Sequence, residues 1–155
     1  MADWAAGEGD ARLSVPAFLV SVSGNEDFQV ATHLGASHRS VPLTTPEHLA
    51  VVLIERNHFS ASPWITVGRA PVCDIVLPFA TASKVHASLK EVGGRWWVMD
   101  VGSTNGTAVD DEVLAREVWH PLADGQIVTF GSLVTEFLLP AGFERRLRST
   151  NNRPR

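Results

Sequence analysis

Arg69, Ser83, Lys84 and Asn105 are the residues best suited to do chemistry in this chain, and the chemistry is anion recognition. They stand in three short polar patches: Gly68-Arg69, then Ser83-Lys84-Val85-His86, then Gly102-Ser103-Thr104-Asn105-Gly106-Thr107. Arg69 offers a planar fork of donors that matches a phosphate, and Ser83 offers a hydroxyl. Lys84 adds a mobile point charge, and Asn105 an amide able to donate to and accept from a peptide backbone. Charge-assisted hydrogen bonds of this kind are the strong ones.

Such groups need a rigid frame, and the runs between the patches provide strand-forming residues. Asp74-Ile75-Val76-Leu77 and Arg95-Trp96-Trp97-Val98-Met99-Asp100 are rich in β-branched and aromatic side chains, which fit a pleated, half-buried surface. In a regular strand Trp96 and Trp97 face opposite ways, one into the core and one partly exposed. Turn signals recur along the chain at Gly93-Gly94, Val109-Asp110-Asp111-Glu112 and Leu122-Ala123-Asp124-Gly125. Asn105-Gly106 reads as a tight hairpin turn, because both residues tolerate positive φ. Many short strands and no convincing long helix predict an all-β sandwich with the polar patches on its loops, where binding groups are usually carried.

The order and spacing of Gly68-Arg69, Ser83-Lys84-Val85-His86 and Asn105-Gly106 resemble those of the forkhead-associated (FHA) domain, a phosphothreonine-binding β-sandwich. The resemblance covers residues 47–140. It implies two mainly antiparallel twisted sheets, with Arg69 and Ser83 on the phosphate and Lys84 as a second phosphate or peptide contact. Asn105, with the Thr104 main chain beside it, would hold the ligand backbone, while Gly68, His86 and Gly106 shape the loops. Many family members carry Arg where this chain has Lys84. The implied partner is a Thr-phosphorylated protein or peptide, a Ser/Thr kinase or its substrate.

The bulk properties agree with a local, focused site. The 155 residues carry 13 basic and 17 acidic side chains, a net charge of −4. Phe143 to Arg155 holds five arginines and one glutamate, so the body before it has eight basic and sixteen acidic residues. An acidic body argues against a broad nucleic-acid footprint. Phosphate capture must come from Arg69 and Lys84 and not from overall charge. Cys73 is the only cysteine, which excludes an internal disulfide, and it lacks metal-ligand spacing to any histidine. No catalytic residue, metal or cofactor is expected. The acidic start MADWAAGEGDAR lacks a secretory pattern, and no apolar run approaches the ~18 residues of a membrane span, so a cytoplasmic protein is expected. Arginine outnumbers lysine eleven to two, a bias that hints at a GC-rich bacterial genome.

Three segments follow. Residues 1–46 are an N-terminal extension expected to pack on the sandwich, 47–140 the FHA domain, and 141–155 a basic, flexible tail. Within the extension, Ala17–Ser23 and Phe28–Thr32 read as a hairpin, with a short helix over Leu13–Val20 as the competing reading of the first run. Residues 35–47 read as a linker. In the tail, Ser149 and Thr150 are candidate phosphosites through which a second copy could be bound. Asp74 is expected to brace the Arg69 loop, and His86 to be structural. Two other functions compete with phosphothreonine binding. One is an FHA-fold scaffold or oligomerisation subunit indifferent to phosphorylation. The other, much the weaker, is a Ser83-His86-Asp100 hydrolytic triad, which no nucleophile elbow accompanies.

Overall fold

The computed structural model describes residues 16–21, 51–56, 62–77 and 79–151. Strands β1 (Phe18–Ser21), β2 (Val51–Leu53), β3 (Ile65–Gly68), β4 (Ile75–Val76), β5 (Ala87–Val92) and β6 (Arg95–Asp100) are followed by β7 (Thr107–Val109), β8 (Glu112–Val113), β9 (His120–Leu122), β10 (Ile127–Phe130) and β11 (Leu133–Leu138). One helix, α1 (Pro140–Asn151), closes the described chain.

The strands form a six-stranded sheet, β2-β1-β11-β10-β7-β8, and a five-stranded sheet, β4-β3-β5-β6-β9. All pairings between strands are antiparallel except β3 with β4. Alternation decides which side chains meet between the sheets. Ile65 and Val67 of β3, Leu89 of β5, Trp96 and Val98 of β6 are buried, as are Val128 and Phe130 of β10 and Phe137 of β11. Trp96 meets Phe137 edge-on with ring centroids 6.0 Å apart, joining the two layers, and Trp97 on the opposite face of β6 is half-buried. Thr135 is a buried polar residue in this core. Its hydroxyl donates to the Val128 carbonyl at 2.7 Å, which removes the cost of leaving it unpaired.

Part of the N-terminal extension belongs to the sandwich itself. Phe18–Ser21 is a strand, not a helical turn, and pairs with both β11 and β2. The second half of the expected hairpin and the linker at 35–47 lie outside the described residues.

The tail expected to be flexible is instead helical over Pro140–Asn151. Pro140-Ala141-Gly142 does end β11, but proline suits the first turn of a helix, where its missing N–H would be unpaired anyway. The cap comes from far away in sequence: Asp124 Oδ1 accepts the Leu139 N–H at 2.9 Å and Oδ2 pairs with Arg145 at 2.7 Å. Phe143 stacks on Phe18 with centroids 4.2 Å apart, and Arg146 pairs with Glu136 at 3.3 Å.

Candidate functional site

One end of the sandwich collects the polar patches. The C-terminal ends of β3 and β6 and the N-terminal ends of β5 and β7 meet there, as the pairs Val67–Ala87 and Ala87–Asp100 fix. α1 begins at the other end, after Leu138.

Gly68 sets the distance between the first two patches. A Cβ on it would lie 2.3 Å from the Lys84 carbonyl oxygen and 2.9 Å from Val85 Cα, all backbone. The bare backbone permits a short ladder across the loops. Arg69 N–H donates to Ser83 O and Ala70 N–H to Lys84 O, both at 2.9 Å, and His86 N–H donates to Val67 O at 2.8 Å. Arg69 and Lys84 therefore stand side by side on loops fixed to one another. Arg69 is exposed, and its Nε donates to Ala82 O at 3.1 Å. Its two terminal nitrogens have no partner among the described residues. Lys84 is likewise exposed.

Asp74 braces this loop as expected, through Thr66 of β3. Its Oδ2 accepts the Thr66 N–H at 2.7 Å and the Thr66 hydroxyl at 2.9 Å. Cys73 is buried under the same loop, its thiol 3.3 Å from the Lys84 carbonyl. Burial pushes that thiol up from its ordinary pKa, with the Asp74 charge adding to the rise against hydrogen bonds from Thr66 and Ala70.

His86 ties the second patch to the third. It is fully buried. Nδ1 accepts the Ser83 N–H at 3.1 Å, so the ring proton sits on Nε2, which donates to Gly106 O at 2.9 Å. Both ring nitrogens are thus engaged with backbone groups. Ser83 bridges outward: its Oγ accepts the Thr104 N–H at 2.9 Å and keeps its own proton to donate.

The third patch is not the hairpin turn expected of Asn105-Gly106. β6 lies in the five-stranded sheet and β7 in the six-stranded one, so residues 101–106 cross between layers. Gly106 has φ of 86°, whereas Asn105 is absent from the positive-φ conformations. Two-residue turns with both centres left-handed are found instead at Gly93-Gly94, with φ of 59° and 82°, joining Val92 to Arg95, and at Asp110-Asp111, with φ of 49° and 67°, joining Val109 to Glu112. Asn105 is exposed and its Nδ2 donates to Thr81 O at 2.8 Å. Its Oδ1 has no partner among the described residues and can accept a ligand N–H.

Asp100 anchors this crossing loop, a positioning role that the sequence reading did not assign to it. Its side chain is 1% exposed. Oδ1 accepts the N–H groups of Gly102 at 2.8 Å and Ser103 at 2.9 Å. Oδ2 accepts the hydroxyls of Ser103 and Thr107, and Ser103 Oγ in turn accepts the Gly106 N–H at 2.9 Å. Burial alone would raise the Asp100 carboxyl, but these donors outweigh it and hold it below its ordinary value. The signal was available: Asp followed two and three residues on by Gly and Ser is an Asx-turn pattern. The same bonds take Asp100 away from His86, whose nitrogens are both engaged with backbone groups, so Ser83, His86 and Asp100 do not form a proton relay.

The structure thus brings Arg69, Ser83, Lys84, Thr104 and Asn105 to one edge, with Gly68, His86 and Gly106 shaping the loops that carry them. Two cations, a hydroxyl and an amide face solvent there, an arrangement suited to a phosphate with a stretch of peptide beside it.

The FHA domain family matches residues 65–131. The glycogen accumulation regulator GarA of Mycolicibacterium smegmatis is 35% identical over 99 residues, 60% of this chain and 61% of that protein. The oxoglutarate dehydrogenase inhibitor of Corynebacterium jeikeium is 31% identical over 113 residues, 67% of this chain and 76% of that protein. The chain therefore spans less than two thirds of the length of GarA. Among solved structures, an engineered FHA with a Myc-pTBD peptide has the same fold, with a TM-score of 0.56 at 18% identity over 86% of this chain and 98% of that one. With the two-sheet sandwich and the loop-borne motifs, these likenesses establish that the chain belongs to the FHA domain family.

Proposed function

We propose that this protein is a phosphothreonine-dependent binding module, and that Arg69, Ser83 and Lys84 receive the phosphate while Asn105 and the Thr104 main chain hold the peptide backbone. The observation that carries the reading is the Ser83 Oγ to Thr104 N–H bond, which locks the phosphate-side patch to the peptide-side patch while Arg69 and Lys84 stay exposed beside it. Around that edge the body is acidic, so the two cations form a local anion receptor and not part of a basic surface.

A phosphate carries about −1.5 to −2 charge and three acceptor oxygens. Each charge-assisted bond to it contributes ~1.5–3 kcal/mol, or on the order of ten- to a hundredfold in affinity. Two or three such bonds make binding conditional on phosphorylation. That conditionality is a switch operated by a Ser/Thr kinase, and it requires no catalysis by this chain. The names of the bacterial relatives, a regulator and an inhibitor, support a role of binding and controlling another protein. The binding unit includes β1 and α1 as well as residues 47–140. Thr150 lies in the last turn of α1, so its use as a phosphorylated ligand for a second copy requires that turn to unwind.

The test is titration of the protein and its Arg69→Ala variant with phosphothreonine, phosphoserine and unphosphorylated peptide libraries at physiological salt. Phosphothreonine-selective binding that falls at least tenfold in the variant is the expected result. Equal binding of all libraries, unaffected by Arg69, overturns the reading in favour of a phosphorylation-indifferent scaffold.

A further inference from the structure

Asn105-Gly106 is the only Asn-Gly pair in the sequence, and it carries a chemistry separate from anything it does for a ligand. Asparagine followed by glycine is the pair most prone to spontaneous deamidation, because no side chain on the second residue obstructs the reaction. The Gly106 amide nitrogen, once deprotonated, attacks Asn105 Cγ. A new N–Cγ bond replaces the Cγ–Nδ2 bond, ammonia leaves with the equivalent of the lost proton, and a five-membered succinimide remains. Water then opens either carbonyl of the ring, giving aspartate or isoaspartate. Asn105 is exposed, so water and hydroxide reach it, and only geometry can hold the reaction back.

The fold restrains each atom that the ring needs. Gly106 N–H donates to Ser103 Oγ at 2.9 Å. That hydroxyl cannot turn away, because its single proton goes to the buried Asp100 carboxylate and a lone pair is thereby kept toward Gly106. Asp100 is fixed in turn by the N–H groups of Gly102 and Ser103 and by the Thr107 hydroxyl. Gly106 O accepts from His86 Nε2 at 2.9 Å and from Gly131 N–H at 3.0 Å, so the glycine is pinned at both ends. The Asn105 amide is drawn elsewhere, its Nδ2 donating to Thr81 O at 2.8 Å.

The chain returns once more to brace this loop. Past β8, Arg116 bridges in parallel to Asp100, and Glu117 N–H donates to Asp100 O at 2.7 Å. From that crest the Arg116 side chain donates to Ser103 O at 3.2 Å. The nucleophile and the carbon it would attack are therefore tied to different partners, and they come free together only when the loop opens.

We propose that Asn105-Gly106 is a latent deamidation site closed by the Asp100–Ser103 chain, and that opening of the 101–106 loop converts Asn105 to aspartate or isoaspartate. The effect on ligands rests on the phosphothreonine reading above. Conversion removes the Nδ2 donor and adds a negative charge beside the anion receptor. As isoaspartate it also inserts a methylene into the main chain, and binding ends.

The full chain is incubated at near-neutral pH and physiological temperature, folded and in guanidinium chloride, and peptide mapping by mass spectrometry follows deamidation at each asparagine. In the unfolded chain Asn105 is expected to convert ahead of Asn25, Asn57, Asn151 and Asn152. In the folded chain the bonds from Gly106 N–H to Ser103 Oγ and from Asn105 Nδ2 to Thr81 O should each slow it about fivefold, roughly thirtyfold together. S103A, shown folded by tryptophan fluorescence, should lose about fivefold of that protection. Hydrogen exchange at the wild-type Gly106 amide reads the same bond without a substitution, and the amide should be protected. An unfolded chain that converts elsewhere first overturns the proposal, as does folded protein that converts at Asn105 as fast as unfolded. A freely exchanging Gly106 amide, or a folded S103A as resistant as the wild type, overturns it too. Deamidated chain, separated by its added charge, should bind phosphothreonine peptides at least about tenfold more weakly, and equal binding overturns the effect on ligands. Failure of the untreated wild type to bind any phosphothreonine peptide refutes the underlying site instead and leaves the deamidation rates standing.

Discussion

Replacing Gly68 by alanine isolates the contact on which the site's spacing depends. A glycine to alanine change at an unstrained position normally stabilises by about 0.4–1 kcal/mol through the unfolded chain, and Gly68 is not among the positive-φ glycines, so that small gain is available. Against it stands a Cβ placed 2.3 Å from Lys84 O, 2.9 Å from Lys84 C and 2.9 Å from Val85 Cα. None of these is a side chain that can swing aside. Relief requires the backbone at 84–85 to move away from β3, which costs about 1–3 kcal/mol as overpacking. It also stretches the Arg69 N–H to Ser83 O and Ala70 N–H to Lys84 O bonds, worth ~1 kcal/mol each. The net expectation is destabilisation of about 2–4 kcal/mol. For a domain of this size that is a fall in Tm of ~5–15 °C. Urea unfolding followed by tryptophan fluorescence measures the first quantity and calorimetry the second. Because Arg69 and Lys84 would be spread apart, phosphothreonine affinity should also fall at temperatures where the variant remains folded. A variant as stable as the wild type, with undiminished affinity, would show that the loops are not held by this close approach and would refute the argument.

Two further outcomes are expected. Because Asp100 is held below its ordinary pKa in the fold, it contributes stability that is fully present above the unfolded carboxyl value of ~3.9 and is lost as pH falls through the lower folded value. In Asp100→Asn this component is absent, so urea midpoints of variant and wild type should converge as pH falls below about 4; curves that fall in parallel would contradict it. Asp124→Ala removes the cap on Leu139 N–H and the Arg145 pair, together worth ~1–2 kcal/mol. Amide exchange across residues 140–151 should accelerate while phosphothreonine affinity stays unchanged, since α1 starts at the end of the sandwich away from the loops.

What could be read from sequence alone was local chemistry in order along the chain. Gly68-Arg69 and Ser83-Lys84-Val85-His86 are legible because Gly68, Arg69 and His86 are each of a type suited to a demanding place: a backbone approach that excludes any Cβ, an exposed guanidinium fork, a buried imidazole with a partner on each nitrogen. The Trp96-Trp97 alternation is legible because a strand has a fixed period of two. Features that depend on distant partners were not. Asn105-Gly106 has the composition of a hairpin turn, but whether its flanking strands share a sheet is decided by the core. The residues following β11 look like a stop followed by a charged tail, and they become a helix because Asp124, fifteen positions before Leu139, supplies the cap and Phe18 supplies a stacking partner. Arg116 carries no local signal at all. Its neighbourhood exists only once β8 has climbed back to Asp100.

That last point bears on how the loop end can change its charge without losing its fold. The phosphate-side groups are bound into a backbone ladder that Gly68, His86 and Ser83 share, so substitutions there disturb several bonds at once. Arg116 contacts the site through a single side-chain bond to Ser103 O, while its own backbone is fixed independently by the Asp100 bridge and the Glu117 N–H. Exchanging the side chain at 116 therefore leaves the ladder intact and alters only the charge beside Ser103 O. The groups proposed to receive the phosphate are built into the backbone ladder of the loop end, whereas Arg116 sits on an exposed crest where it can be exchanged at little cost to stability.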